Sequence, residues 1–362
     1  MKWTPEENYF LYSLLKSNDS QNYDSIAETI NLKHNSGLPG FPTYRSPDAV
    51  RRRILRIKKS TSVFNEPHPI DSAWENIIKL TKEYTPKSTF NDLGLVNSTD
   101  RKIISFSDLH IPFFLWRNMK NALDHHNDAD IVVLNGDILD AYLFSTFSKT
   151  KRIAALKEYM IAFDLVSYLS DNFENVVIVS GNHDIRTSRA AYSGNLDKEA
   201  VEIFRPDLLA RIANGEKLNE LCELTDKLDF SNVHYKKLDS WFFQVGQTIF
   251  CHPSGFGSAY PGATVVKLLD HFNNRLSPDE FDSIVVGHTH KVYKGVVANK
   301  LLIEQGAMCH RLPYQFKADL RFKNASNGFA IIYQDSKGRT NYNDSTPVYL
   351  GTHLPNKKGS SL

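Results

Sequence analysis

Cysteine is scarce: Cys222, Cys251 and Cys309 are the only three in 362 residues. They are odd in number and far apart, which excludes a disulfide scaffold and reads as reduced thiols in a cytosol-like compartment. No CxxC pair occurs, which argues against a structural zinc knuckle. Long apolar runs are also missing. Stretches such as Ile131-Val132-Val133-Leu134 are strand-sized, against the ~20 residues that span a bilayer. The first residues, Met1-Lys2-Trp3-Thr4-Pro5-Glu6-Glu7, turn polar and acidic where a secretion signal needs an apolar stretch. Neither a membrane nor export is expected, and the location expected is cytoplasmic. Net charge is close to zero, at +2, so the whole-chain balance selects no partner. Internal repeats and low-complexity tracts are absent.

What the chain has is ample core material. Hydrophobic residues make up 41% and charged residues 23%, with 22 Phe and 16 Tyr. That is a globular composition, and at ~150 residues per domain the length suggests two domains.

Residues 1–60 read as a small unit of three helices. The first opens on a capping box, with Thr4 as N-cap, Pro5 next and Glu7 at the third position. Phe10, Leu11, Leu14 and Leu15 follow at helical spacing. Tyr23 to Glu28 starts a second helix, with Ser25 and Glu28 as a candidate box, and Ser46-Pro47 caps a third. On the third, Val50, Ile54 and Ile57 face inward, while Arg51, Arg52, Arg53, Arg56, Lys58 and Lys59 cover the rest. Such a helix can be a merely solvated face. Clustering of the charge on one helix behind its cap favours contact with nucleic-acid phosphates. Residues 61–100 read as a connector with one short helix between Ala73 and Tyr84, and 351–362 as a mobile tail.

From Arg101 the pattern changes to strands alternating with helices, an α/β layered arrangement. Strands are expected over Lys102–Phe106, Ile131–Leu134, Val176–Val179, Trp241–Val245, Thr248–Cys251, Ser283–Val286, Leu301–Glu304 and Phe329–Tyr333. Helices are expected over Ala154–Leu169 and Ala263–Phe272. Metal-type ligands follow five of the strands: Asp108 and His110; Asp137 and Asp140; Asn182, His183 and Asp184; His252; His288 and His290. Loops at strand carboxyl ends can converge on one crevice. Gly136, Gly181 and Gly287 let the backbone turn there. Carboxylate, imidazole and amide without thiolate suit Mn, Fe or Zn better than Ca.

This order (D-x-H, G-D-x-x-D, G-N-H-D, a lone His, G-H-x-H) resembles the calcineurin-like metallophosphoesterase family over about Lys102 to His310. The first three helices resemble a helix-turn-helix of the Myb or SANT kind, with Trp3, Tyr23 and Ile54 at its core positions. The family resemblance implies a four-layer αββα sandwich over residues 101–350 beside the small N-terminal three-helix domain. It also implies two divalent metal ions, Mn first, with Fe, Zn, Ni or Mg as alternatives. Asp108, His110, Asp137 and His290 would hold the first. Asp137, Asn182, His252 and His288 would hold the second. A carboxylate can bridge two cations and an imidazole cannot, which fits Asp137 as the shared ligand. His183 would protonate the leaving oxygen, oriented by Asp140 one helical turn past Asp137. Ions ~3.5–4 Å apart would acidify a water and neutralise phosphate oxygens. Arg186 would pair with a phosphate oxygen or with an acid such as Asp184, and His310 lies where the family closes its site.

The local sequence around Gly136-Asp137 and Gly181-Asn182 resembles the DNA-repair exonuclease branch. The stretch from Asp140 to Phe147 resembles phage-encoded members, for which the compartment would be the host cytoplasm. The function expected is hydrolysis of nucleic-acid phosphodiester bonds, DNA before RNA, with a homodimer as the assembly common among such nucleases. The alternative is a phosphomonoesterase or a small or cyclic nucleotide phosphodiesterase recruited by the basic unit.

Overall fold

The computed structural model describes residues 3–17, 22–61, 94–95, 100–145, 153–193, 205–255, 258, 260–312 and 325–352. The connector helix expected over 73–84 lies outside them. The chain forms two compact units, Met1–Pro86 and Lys87–Leu362.

The first unit contains α1 (Pro5–Ser17), α2 (Tyr23–Asn35) and α3 (Pro47–Thr61). The capping box of α1 is reciprocal. Thr4 Oγ1 accepts the Glu7 N–H at 3.1 Å, and Glu7 Oε2 accepts the Thr4 N–H at 2.9 Å. The second helix starts differently from the expectation. Asn22 caps it, its Oδ1 accepting from the N–H groups of Asp24 and Ser25 at 2.8 and 3.0 Å, so the Ser25–Glu28 pair lies inside the helix. Leu11, Ile26, Ala27, Ile30, Phe41, Val50 and Ile54 form the core. Arg45 is buried there, donating to both carboxylate oxygens of Glu7 at 3.0 and 2.6 Å under the Trp3 ring. A bidentate buried pair of this kind fixes geometry.

The second unit holds two six-stranded sheets. One runs β14 (Thr346–Thr352), β13 (Ser326–Gln334), β2 (Arg101–Phe106), β3 (Ile131–Asn135), β4 (Asn175–Val179), β7 (Val233–Tyr235). The other runs β1 (Gly94–Leu95), β8 (Phe242–Val245), β9 (Thr248–Cys251), β10 (Ser283–Val286), β12 (Lys300–Gln305), β11 (Val292–Val297). A third, two-stranded sheet pairs β5 (Glu216–Leu218) with β6 (Leu224–Lys227).

Strand periodicity explains the layering. Ile103, Ile131, Val133, Val177 and Val179 face Phe243, Val245, Phe250, Val285, Leu301 and Ile303 between the sheets. Their neighbours Ile104, Val132, Leu134, Val176 and Ile178 face outward onto α4 (Trp116–His125) and α5 (Ala155–Asn172). On the opposite side Ile249, Ile284, Val286 and Leu302 meet the later helix Ala263–Asn273. Each sheet is buried on both faces, so its central strands read as continuous apolar runs. The result is a four-layer α/β/β/α sandwich.

Two boundaries differ from the sequence reading. Gly94–Leu95, inside the assigned connector, pairs in parallel with β8. Gly351 pairs with Asn327 in β14, so the strand continues into the segment assigned to the tail. Among the described residues no helix is long and apolar enough to cross a membrane.

Candidate metal centre

The parallel strands β2, β3 and β4 of one sheet, and β9, β10 and β12 of the other, end in register. Their carboxyl ends deliver the loops that carry Asp108 to His110, Asp137 to Asp140, Gly181 to Arg186, His252 and His288 to His290. Five of these side chains sit on left-handed backbone: Asp108, His110, Asp137, His288 and His290 have φ of 53°, 47°, 50°, 69° and 50°. Such conformations are costly for residues other than glycine and cluster where function requires them.

The three glycines do not all act alike. Gly136 has φ +82° and makes the turn expected of it. Gly181 and Gly287 are not left-handed. They are glycine because a Cβ would overlap the Asp137 carboxylate at Gly181, and Ser107 Oγ and the His252 ring at Gly287.

The loops bring the ligand atoms into three adjoining groups, each within 4.8 Å: Asp108, His110 and His290; Asp137, His252 and His288; His110, Asp140 and His183. His290 Nε2 lies 3.0 Å from Asp108 Oδ1 and 3.3 Å from His110 Nε2. His252 Nε2 lies 3.2 Å from Asp137 Oδ2 and 3.9 Å from Asp108 Oδ1. Asp137 Oδ2 also lies 3.9 Å from His110 Nε2, so it touches both of the first two groups.

Second partners set the imidazole tautomers. A carboxylate or carbonyl oxygen only accepts. His110 Nδ1 therefore donates to Asp140 Oδ1 at 3.0 Å, and His252 Nδ1 donates to the Asn135 carbonyl at 2.8 Å. Each ring thereby presents Nε2 to the cage, which is the usual arrangement of a metal-binding histidine. Buried Asp108 Oδ1, Asn182 Oδ1 and His252 Nε2 make no hydrogen bond of acceptable geometry. Acceptor atoms aimed at one another in a buried space fit divalent cations, and this carboxylate, imidazole and amide set fits first-row ions.

The electrostatics agree. Burial would raise the carboxyls of Asp108, Asp137 and Asp140. The facing imidazoles win and hold all three below the usual carboxylate range. Burial opposes a charged His252, yet Asp137 and Asp108 push its pKa up to about 10. Burial and the neighbouring His252 push His288 down to about 4. The paired carboxylates thus demand positive charge between them.

His183 stands beside the cage. Its Nδ1 lies 3.0 Å from Asp140 Oδ1, and its N–H donates to Asp137 Oδ1 at 2.8 Å. Asp140 thus meets both His183 and His110. It does so from an extended loop rather than one helical turn past Asp137, because Leu139 bridges Ile111 in parallel fashion. Arg186 does not meet Asp184. It donates from Nη1 to the Asp140 carbonyl and from Nη2 to His183 Nε2, both at 2.9 Å. Asp184 instead accepts the N–H groups of Gly181, Leu139 and Ile138 at 2.7, 2.8 and 3.3 Å. Burial and the Asp137 charge push its pKa up to about 7. His310 is not among the clustered groups: it is exposed, and its backbone N–H donates to the Phe113 carbonyl.

Asp184, one of the metal-type residues after its strand, serves the backbone of the neighbouring loop instead. The buried acid Glu158 is not among the residues singled out from the sequence. Glu158 lies on α5 in line with Ala162 and Val166, the apolar stripe of that helix. An acid on such a stripe is a legible signal.

In the N-terminal unit, Arg51, Arg52 and Arg56 are exposed on α3. Arg52 pairs with Asp48 at 3.0 Å. Arg53 is half-buried and donates to Asn8 Oδ1 at 2.8 Å, so it ties α3 to α1. The side chains of Ile57, Lys58 and Lys59 lie outside the described residues.

A family model for calcineurin-like phosphoesterases matches residues 101–292. No curated protein matches the chain. Among solved structures, Vps29 of Cryptosporidium parvum is 17% identical, covering 70% of this chain and 99% of its own, with a TM-score of 0.33. An archaeal phosphodiesterase is 14% identical over 69% of this chain and 99% of its own, with a TM-score of 0.32. Zinc-complexed Vps29 of Entamoeba histolytica is 12% identical over 64% and 84%, with a TM-score of 0.32. Similarities this distant carry no weight for activity. The family match does, because it spans more than half of the chain and the whole run of loops from Asp108 to His290. The chain belongs to the calcineurin-like phosphoesterases, metal-dependent hydrolases of phosphoester bonds.

Proposed function

We propose that the protein is a dinuclear phosphodiesterase that cleaves nucleic acid, DNA before RNA, in the manner of the DNA-repair exonuclease branch and its phage-encoded members. The N-terminal helices would act as a Myb/SANT-like binding module. The observation that carries the choice of a polymer is the exposed arginine face of α3, at Arg51, Arg52 and Arg56, on a chain whose other unit is built for phosphoesters.

Asp108, His110, Asp137 and His290 would hold one ion. Asp137, Asn182, His252 and His288 would hold the other, with Mn as the first choice. When bound, the ions supply an acidified water and neutralise charge on the phosphate. The chain's own residues do the rest. Asp140 fixes the His183 ring through Nδ1 and leaves Nε2 to carry the proton for the leaving oxygen. Arg186 now donates to that Nε2. A phosphate oxygen is a stronger partner for a guanidinium, so substrate would draw Arg186 off and free His183. His310 has no role in this scheme.

Changing Arg51, Arg52 and Arg56 together to glutamine is expected to raise the apparent KM for long strands by about 10-fold. It should also flatten the salt dependence of binding by about three charges. Hydrolysis of a small diester should be unchanged. Arg53 is left in place because it bonds Asn8. An equal loss on polymer and small diester would contradict the role of the module. Steady-state kinetics across a salt series makes the measurement.

A further inference from the structure

We infer that Glu158 is a positioning residue for leaving-group protonation, acting through the loop that carries Asp140. The inference rests on the proposed role of His183 as the acid.

Glu158 lies in the first turn of α5 and is 1% exposed. Its Oε2 accepts the N–H of Ala141 at 2.7 Å, and its Oε1 accepts the N–H of Tyr142 at 3.0 Å. Among the described residues the hydrogen bonds of its carboxyl group run to these two amides alone. They are consecutive amides of one turn, and Ala141 holds φ +47°, a left-handed conformation for a residue with a Cβ. A turn of that kind needs an outside constraint to persist. The clamp on its two amides supplies it.

The residue immediately before the clamped turn is Asp140. Its Oδ1 meets Nδ1 of both His110 and His183 at 3.0 Å, and its carbonyl accepts Arg186 Nη1 at 2.9 Å. These contacts converge from different elements on a single residue, so a shift of ~1 Å would carry some of them beyond hydrogen-bond range. The buried carboxylate is a costly choice if packing were its only task. A leucine on the apolar stripe would pack without a desolvation penalty. Only a group with two acceptor oxygens holds both amides.

The test separates protonation from folding. Glu158→Ala, Glu158→Gln, His183→Gln and the parent, as full chains loaded with Mn, are assayed on two diesters. One has a nucleoside hydroxyl as leaving group and needs a proton. The other releases nitrophenolate and does not. Metal content and thermal unfolding are recorded for each. Glu158→Ala is expected to lower kcat on the nucleoside ester by about 10- to 100-fold, as loss of an outer-shell partner does. On the nitrophenyl ester the loss should be under about threefold, with KM unchanged on both, since protonation of this leaving group is not required. Glu158→Gln, which keeps one acceptor and the same shape, should fall between and stands in for the alanine variant if that fails to fold. His183→Gln should show the same pattern more strongly. If it does and the Glu158 variants lose both substrates equally, or neither, the inference is wrong. If His183→Gln itself shows no dependence on the leaving group, the assignment of the acid is wrong and the inference falls with it.

Discussion

Asp137→Asn is expected to abolish hydrolysis and to lower Mn bound at saturation from two ions per chain to at most one. Asp137 Oδ2 lies 3.2 Å from His252 Nε2 and 3.9 Å from His110 Nε2, so it meets both ligand groups, and it is the residue proposed to bridge the two ions. Asparagine keeps one oxygen and can still accept the His183 N–H that Asp137 Oδ1 accepts at 2.8 Å. It carries no charge and cannot bridge two cations. The fall in kcat should be at least ~10³-fold, the upper end of what a single electrostatic group supplies. Stability without metal should fall as well. Asp137 and Asp108 repel one another, but the facing imidazoles outweigh that repulsion and hold both carboxyls below the usual range, so the neutral amide removes a net favourable charge. The melting temperature of the metal-free variant at neutral pH should lie below that of the parent, and the gain on adding Mn should shrink. Metal analysis, kinetics and thermal unfolding on one preparation check all three. A variant that binds two ions and retains a tenth of the activity would contradict the shared role.

The second large effect is expected at His183. Its ring nitrogens are committed to Asp140 Oδ1 and to Arg186 Nη2, and it clusters with His110 and Asp140 rather than with the Asp108–His290 or the Asp137–His252–His288 group. His183→Gln should therefore leave metal content unchanged. It should lower kcat by about 10²–10⁴-fold on esters whose leaving oxygen needs a proton, the range that general acid catalysis supplies. With nitrophenolate as leaving group the loss should be small. Loss of metal together with activity would instead make His183 part of the cage.

The central strands were legible because both faces of each sheet are buried. Ile131-Val132-Val133-Leu134 reads as a strand for that reason, as do Ile103–Phe106 and Val176–Val179. The proposed ligands were legible because strand ends set where they stand, and a short ligand-bearing motif follows five of the strands. Edge elements were not. Val292–Val297 is half to fully exposed, with a lysine and a glycine in its middle, so it shows no apolar run. Gly94–Leu95 contributes two residues to its sheet, too few to register as a pattern. Asn22 as a cap was hidden by the more conventional Ser25 and Glu28. Glycine roles were half legible: composition marked Gly136, Gly181 and Gly287, but whether each serves a turn or a close approach depends on which side chain lies opposite. The clamp by Glu158 on a loop 17 residues away belongs to tertiary packing, which no local pattern encodes.

The proposal that this site cleaves a polymer is tested most directly by Mn-supplemented hydrolysis of four substrates side by side: single-stranded DNA, duplex DNA, RNA and a small phosphomonoester. His183→Gln serves as the control. Cleavage of a DNA strand that disappears in the control, with little turnover of the monoester, is the result expected. Rapid turnover of the monoester with every polymer left intact would contradict the nuclease reading and make the protein a phosphomonoesterase, leaving the arginines of α3 to serve another partner.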